Sequence, residues 1–164
     1  PRMWETGGWT ELPPLPSEEA TTPTRPRFSP DGRLVAIHRG AITRIYDVST
    51  RRVLAELRHR GTARDAAFSR DGKLVVTGSD AGASIWDLES QSRLVDLPGH
   101  PGEVFAVRFT ADGRIATGGV DGVVRFFECE VCRPIDELLS LARDRVTREL
   151  TPAERARFLG DADR

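Results

Sequence analysis

Val104-Phe-Ala-Val-Arg-Phe109 is a short apolar run with one polar position, rich in β-formers and followed by a turn signal, and that pattern predicts a strand. Thr110-Ala-Asp-Gly113 then reads as a hairpin turn, in which Asp112 folds its side chain back onto the backbone and Gly113 takes a positive φ. Arg114 to Thr117 forms a second strand, Gly118 to Gly122 a second turn, and Val123 to Glu128 a third strand. The same order appears twice upstream. Phe28-Ser-Pro-Asp-Gly-Arg-Leu-Val-Ala, Phe68-Ser-Arg-Asp-Gly-Lys-Leu-Val-Val and Phe109-Thr-Ala-Asp-Gly-Arg-Ile-Ala-Thr align without gaps, their phenylalanines 40 and 41 residues apart. A second anchor follows each by 18 residues (Tyr46, Trp86, Phe127), and an acid follows each anchor (Asp47, Asp87, Glu128). In the first two copies Val53 to Leu57 and Arg93 to Leu97 supply a fourth strand.

Four short antiparallel strands in roughly 40 residues make one propeller blade. Trp4-Glu5 sits 42 residues before Tyr46-Asp47, and Leu15 sits 42 before Leu57. The chain therefore divides into the end of a preceding blade (1–16, late third strand and fourth strand), repeat 1 (17–57), repeat 2 (58–97), repeat 3 (98–128) and a tail (129–164). The fold class expected is all-β, a partial β-propeller of three four-stranded antiparallel blades plus a remnant, with a short α-helical C-terminal tail. A ring that opens in mid-blade does not close on itself, which predicts further blades before Pro1. Two copies closing one homodimeric ring, each donating its N-terminal strand to the other's last blade, is the minor alternative.

In the tail, Pro134 followed by Asp136 and Glu137 is a helix-start signal, and Ile135, Leu138, Leu139, Ala142, Val146 and Leu150 share one helical face. Thr151-Pro-Ala-Glu154 has the form of a capping box for a second short helix. Leu138 also aligns with Leu97. Helical periodicity outweighs that alignment, and a helical tail leaves the last blade short of a strand.

Gly99-His100 at a repeat boundary, the Asp-Gly turns and Trp86-Asp87 together resemble the WD-repeat family. The resemblance implies a buried hydrogen-bonded network of His, Asp, Ser or Thr, and Trp. Repeat 2 offers His59, Asp80, Thr77 and Trp86 for it. Repeat 3 offers His100, Asp121 and Thr117, with Phe127 in place of the Trp. Repeat 1 has Ala36 and Gly40 where Thr and Asp are expected. The family also implies partner contacts near the start of each first strand, here Thr24, Arg64 and Phe105. The tail over 141–155 resembles the ending of actinobacterial multidomain WD-repeat proteins, in which a propeller follows a STAND-type NTPase, a protease or a transcriptional regulator.

Charge alters this picture little. The 24 basic and 25 acidic side chains leave a formal net charge of −1, which gives no global pull toward nucleic acid or anionic lipid. Arg143, Arg145, Arg148, Arg155 and Arg157 are interleaved with Asp144, Glu149 and Glu154, as on a solvated helix face. No apolar run approaches the roughly 18 residues of a membrane span. Cys129-Glu-Val-Cys132 is a C-x-x-C whose readings are two packed thiols, a redox pair at a helix start, and, least favoured, a metal site. Two cysteines are too few for a disulfide framework, which makes a reduced cytoplasmic setting the default.

The sequence offers no catalytic residue, no metal site and no cofactor. The expected role is a non-enzymatic interaction or sensor scaffold within a larger bacterial signalling protein. Its partner would be another protein or an effector domain of the same full-length chain, with no nucleic acid and no membrane. Two alternatives stay open: the propeller domain of a multidomain NTPase or protease whose catalytic part lies elsewhere, and a truncated gene product without activity of its own.

Overall fold

The computed structural model describes residues 3–5, 7–15, 25–132, 137, 139, 140, 143, 144 and 151. Two compact units divide the chain, Pro1–Cys129 and Glu130–Arg164.

In the first unit every described element is a strand. Two short strands, β1 (Met3–Trp4) and β2 (Glu11–Leu12), pair antiparallel. A four-stranded sheet follows in the order β3 (Arg27–Phe28), β4 (Leu34–Arg39), β5 (Ile42–Asp47) and β6 (Val53–Arg58). The second sheet repeats it with β7 (Ala63–Phe68), β8 (Leu74–Ser79), β9 (Gly82–Asp87) and β10 (Ser92–Leu97). Among the described residues the third sheet has three strands, β11 (Val104–Phe109), β12 (Arg114–Gly119) and β13 (Val124–Glu128). Each strand pairs with its sequence neighbour, so each sheet is a meander, here called blades 1, 2 and 3.

The Asp-Gly turns show why the sequence repeats. In blade 1 the Ser29 hydroxyl donates to Asp31 (2.6 Å), the Arg33 N–H donates to the same carboxylate (3.1 Å), and Gly32 has φ 73°. Ser69, Asp71, Lys73 and Gly72 reproduce this in blade 2 at 2.6 Å, 3.1 Å and φ 72°. In blades 1 and 2 the acid after the aromatic anchor caps the next turn. Asp47 accepts from Thr50 N–H (2.6 Å) and Asp87 from Ser90 N–H (2.7 Å). These bonds hold two segments that carry non-glycine residues at positive φ, Arg51 at 60° and Gln91 at 54°.

The core lies between blades. Ala36, Ile45, Ala55 and Leu57 of blade 1 pack with Ala66, Phe68, Val75 and Trp86 of blade 2. Each large aliphatic side chain buried this way contributes about 1.5–3 kcal/mol. The same joint precedes blade 1, where Leu15 and Met3 pack on Val35, Ile37 and Tyr46. Leu15 thus packs with Tyr46 as Leu57 packs with Trp86.

At Gly78 blade 3 approaches blade 2 closely. A Cβ there would lie 2.6 Å from the Val104 carbonyl oxygen and 3.1 Å from its Cγ1. Backbone cannot swing aside as a side chain does, so Gly78→Ala is expected to destabilise by about 2–3 kcal/mol. The check is a urea midpoint that falls at constant slope.

In the second unit Glu130–Cys132 is one turn of 3-10 helix, and Glu137, Leu139, Ser140, Arg143 and Asp144 are helical. Helix is therefore described over part of the tail; of the face expected from the periodicity only Leu139 is included, and Ile135, Leu138, Ala142, Val146 and Leu150 lie outside the described residues. The capping box beyond Thr151 lies outside the described residues.

Candidate interaction face and the blade networks

The strand order puts one set of residues on a common rim. Strands β7 and β11 begin there and β8, β10 and β12 end there, so Arg64, Asp80, His59, His100 and Phe105 lie at the same end of the sheets. Arg64 and Phe105 each fall at a β-bulge, where the register shifts between Ala63 and Asp65 and between Val104 and Ala106. A bulge leaves one residue unpaired and re-aims its side chain. Phe105 is accordingly 42 % exposed. Arg64 is instead held in place, its Nε 2.5 Å from Asp80 and its Nη2 3.3 Å from Glu103. Thr24 lies outside the described residues.

The four residues offered by repeat 2 separate into two groups. Trp86 Nε1 donates to Thr77 Oγ1 at 2.8 Å, and the edge of His59 meets the Trp86 ring with centroids 5.3 Å apart. Asp80, however, accepts from Arg64 and from Thr62 N–H (3.2 Å). His59 Nε2 turns to Thr43 Oγ1 of blade 1 (2.9 Å), which also meets His38 Nδ1 (2.9 Å).

Repeat 3, which lacks the Trp, brings its three together. His100 Nε2 lies 2.8 Å from Thr117 Oγ1, and Nδ1 lies 3.0 Å from Asp121. Arg125 joins them, with Nη1 2.6 Å from Asp121 Oδ2 and 2.8 Å from His100 Nδ1. Local chemistry explains the contrast. The counterpart of Arg64 is Phe105, which leaves Asp121 free for His100. The counterpart of Arg125 is Ser84, which cannot reach Asp80 and donates to Asp96 at 2.7 Å.

In blade 1 the counterpart of Thr77 on the sheet is Ile37, not Ala36, because Ile37 faces Arg44 as Thr77 faces Ser84. Thr117 holds the same place opposite Arg125 although it stands one residue nearer its Phe anchor. The turn before β12 is one residue shorter, closing from Thr110 N–H to Arg114 rather than over the span from Ser69 N–H to Leu74. An ungapped alignment misses that shift.

Asp65, which repeat spacing did not single out, is 1 % exposed and joins three blades. Its Oδ1 accepts from Arg27 Nε of blade 1 (2.7 Å), and its Oδ2 accepts from Arg108 Nη1 (2.6 Å) and Val107 N–H (3.2 Å) of blade 3. Burial works to raise its pKa; the donors outweigh that and hold the carboxyl below its ordinary value.

Cys129 is buried, and both Cys129 and Cys132 are disulfide-bonded, the oxidised state of the C-x-x-C. Among the described residues no group of three or more His, Cys, Asp or Glu could hold a metal, and no helix is long and apolar enough to cross a membrane.

Repeated meanders carrying Asp-Gly turns and a Trp-Asp strand end are similar to WD repeats. Residues 51–87 and 91–128 match the family described as WD domain, G-beta repeat. Both matches begin at or beside the fourth strand of one blade and end on the third strand of the next, so the sequence repeat is offset from the blade by one strand.

The chain is 36 % identical over 100 residues to Pre-mRNA-processing factor 19 homolog 2 of Arabidopsis thaliana, an alignment that takes in 58 % of this chain and 19 % of that protein. It is 31 % identical over 118 residues to Apoptotic protease-activating factor 1 of Rattus norvegicus, covering 66 % of this chain and 9 % of the relative. A chain in the crystal structure of the Mitotic Checkpoint Complex superposes with a TM-score of 0.68 at 24 % identity, over 76 % of this chain and 39 % of its own length. That likeness shows the fold, a partial β-propeller.

Proposed function

We propose that this chain is a non-catalytic protein-interaction scaffold that presents the bulged rim of its blades to a partner. The observation that carries this is Phe105, a large aromatic 42 % exposed on a bulge of a well-packed sheet, with the anchored Arg64 on the matching bulge of the next blade. Aromatic and Arg side chains on a rigid frame are the composition of interaction hot spots. The frame resists deformation because inter-blade packing and Asp65 hold it, so little ordering cost attaches to binding.

The wider reading is a part of a larger bacterial signalling or regulatory protein, cytoplasmic, whose effector lies elsewhere in the chain. The resemblance of residues 141–155 to multidomain WD-repeat proteins supports it. So does the small share of each relative that the alignments cover, 19 % and 9 %.

The test is capture from a lysate of the source organism, with wild type against the double variant Arg64→Ala plus Phe105→Ala. The expected result is a loss of the captured partner of about tenfold or more, with the thermal transition of Phe105→Ala alone unchanged. Capture that is equal in the two proteins sinks the assignment of the rim.

A further inference from the structure

The rim of blade 2 also holds a cleft of about 90 Å³, lined among others by His59, Arg60, Ser84, Trp86, Arg93 and Asp96. Its cations are unequal. Around this end of the sheets most guanidinium groups are matched to carboxylates: Arg58 to Glu56 (2.9 Å), Arg64 to Asp80, Arg93 to Asp96 (3.3 Å) and Arg125 to Asp121 (2.6 Å). Arg60 is exposed, and its side chain makes no hydrogen bond or ion pair with the described residues.

The acid in the wall is already engaged. Asp96 Oδ1 accepts from Ser84 Oγ at 2.7 Å and faces Arg93. Trp86 spends its N–H inward on Thr77 and offers the cleft only carbon. His59 spends Nε2 on Thr43, which leaves Nδ1 without a hydrogen-bond partner among the described residues. The cleft therefore has an apolar back wall, one satisfied ion pair, one unpaired guanidinium and one unengaged ring nitrogen. A guanidinium fork against a partly dry wall binds a planar or tetrahedral oxyanion through parallel N–H···O bonds.

We propose that this cleft seats one oxyanion, a carboxylate or phosphate group carried by an acidic segment of the protein partner. The inference rests on the scaffold reading and adds to the rim that carries Phe105 a polar subsite that selects an anionic residue in the bound segment. An apolar anchor and a charge-reading pocket on one rim specify both the position and the sign of what binds.

The experiment titrates the isotopically labelled full chain with four probes: a capped tetraglutamate peptide, its tetraglutamine counterpart, a capped phosphoserine peptide and inorganic phosphate. The readouts are the Trp86 indole and His59 ring resonances. Shifts with the glutamate or phosphoserine peptide and none with the glutamine peptide are expected, and the stronger of the two acidic peptides identifies the source of the oxyanion. Arg60→Ala, on an exposed site, should leave the thermal transition unchanged and weaken the peptide about tenfold.

Equal shifts with the glutamine peptide, shifts from no probe, or unchanged affinity in Arg60→Ala each overturn the subsite. So do shifts with inorganic phosphate alone, which show an adventitious ion only. If the partner is still captured through Arg64 and Phe105 while the peptides leave Trp86 and His59 unmoved, the subsite falls and the scaffold reading stands. If capture is indifferent to Arg64 and Phe105, the scaffold reading fails whatever the peptides do.

Discussion

Asp65→Ala is expected to lower the unfolding free energy by about 3–5 kcal/mol, the range for breaking a buried charge pair by removing one partner. That loss takes much of the stability of an ordinary domain. Three donors from two other blades converge on this one carboxylate. Its removal leaves the Arg27 and Arg108 guanidinium groups, 31 % and 51 % exposed, facing each other without the anion between them. It also leaves the buried N–H of Val107 without its acceptor, which by itself costs about 1–3 kcal/mol. Asp65→Asn keeps one acceptor oxygen and a near-identical shape, and should cost less than the alanine. Arg108 reaches in from a half-exposed position, so Arg108→Ala alone should cost about 1–2 kcal/mol. A double-mutant cycle between Asp65 and Arg108 should show a coupling of about 1 kcal/mol or more. Chemical unfolding of the four proteins checks this, and a loss under about 1 kcal/mol for Asp65→Ala would mean that blade packing alone holds the first strands in place.

The sequence made this fold legible because blades are stitched by local rules that recur. An Asp-Gly turn needs a carboxylate and a positive φ at fixed offsets, and the strand-end acid needs a following turn to cap. Leu15 packs on Tyr46 in a joint that resembles the one between Leu57 and Trp86. What stayed hidden is what differs between copies. Asp65 aligns with Arg25 and Ala106, so a search for recurring residues passes over it, although its role as a tie between neighbours depends on being unlike them. Repeat phase grouped His59 with Asp80, but the pairing is decided by Arg64, which takes the acid, and by Thr43, which takes the imidazole. Both lie off the aligned motif. In repeat 3 the residue at the Arg64 position is Phe105, and the polar trio assembles despite the missing Trp.

Acid should loosen the joint between blades 1 and 2 well before the carboxylates titrate. His38 occupies the sheet position that is Gly78 in blade 2 and Gly118 in blade 3, and Thr43 stands opposite it where Ala83 and Val124 stand in the others. The chain thus carries a His38–Thr43–His59 relay that its other blades lack. His38 is 5 % exposed, and its Nε2 is a buried atom with no hydrogen-bond partner among the described residues. The Thr43 hydroxyl donates to one ring nitrogen and accepts from the other ring; protonating both rings turns both into donors and strands the hydroxyl hydrogen. Burial is the main cause that lowers each pKa from 6.5 to about 4. Around His38, Asp65 acts in the opposite sense and Arg27 adds to the lowering; around His59, the neighbouring His38 and Arg93 add to it. Unfolded histidines take up protons near 6.5 that the folded ones refuse until about 4. The relay's contribution is therefore complete above 6.5 and is lost as the pH falls toward 4. At pH 5 the loss from His38 is about 2 kcal/mol, with a smaller share from half-buried His59, whose outer edge solvent screens. Aspartates enter lower, since Asp47 and Asp112 are held at about 2 by hydrogen bonds to their charged forms. Unfolding midpoints from pH 7.5 to 5 should fall for wild type and fall much less for His38→Gln with His59→Gln, a pair that keeps hydrogen-bonding groups but does not titrate. Parallel slopes in the two proteins would show that the relay is not the acid-sensitive element of the joint.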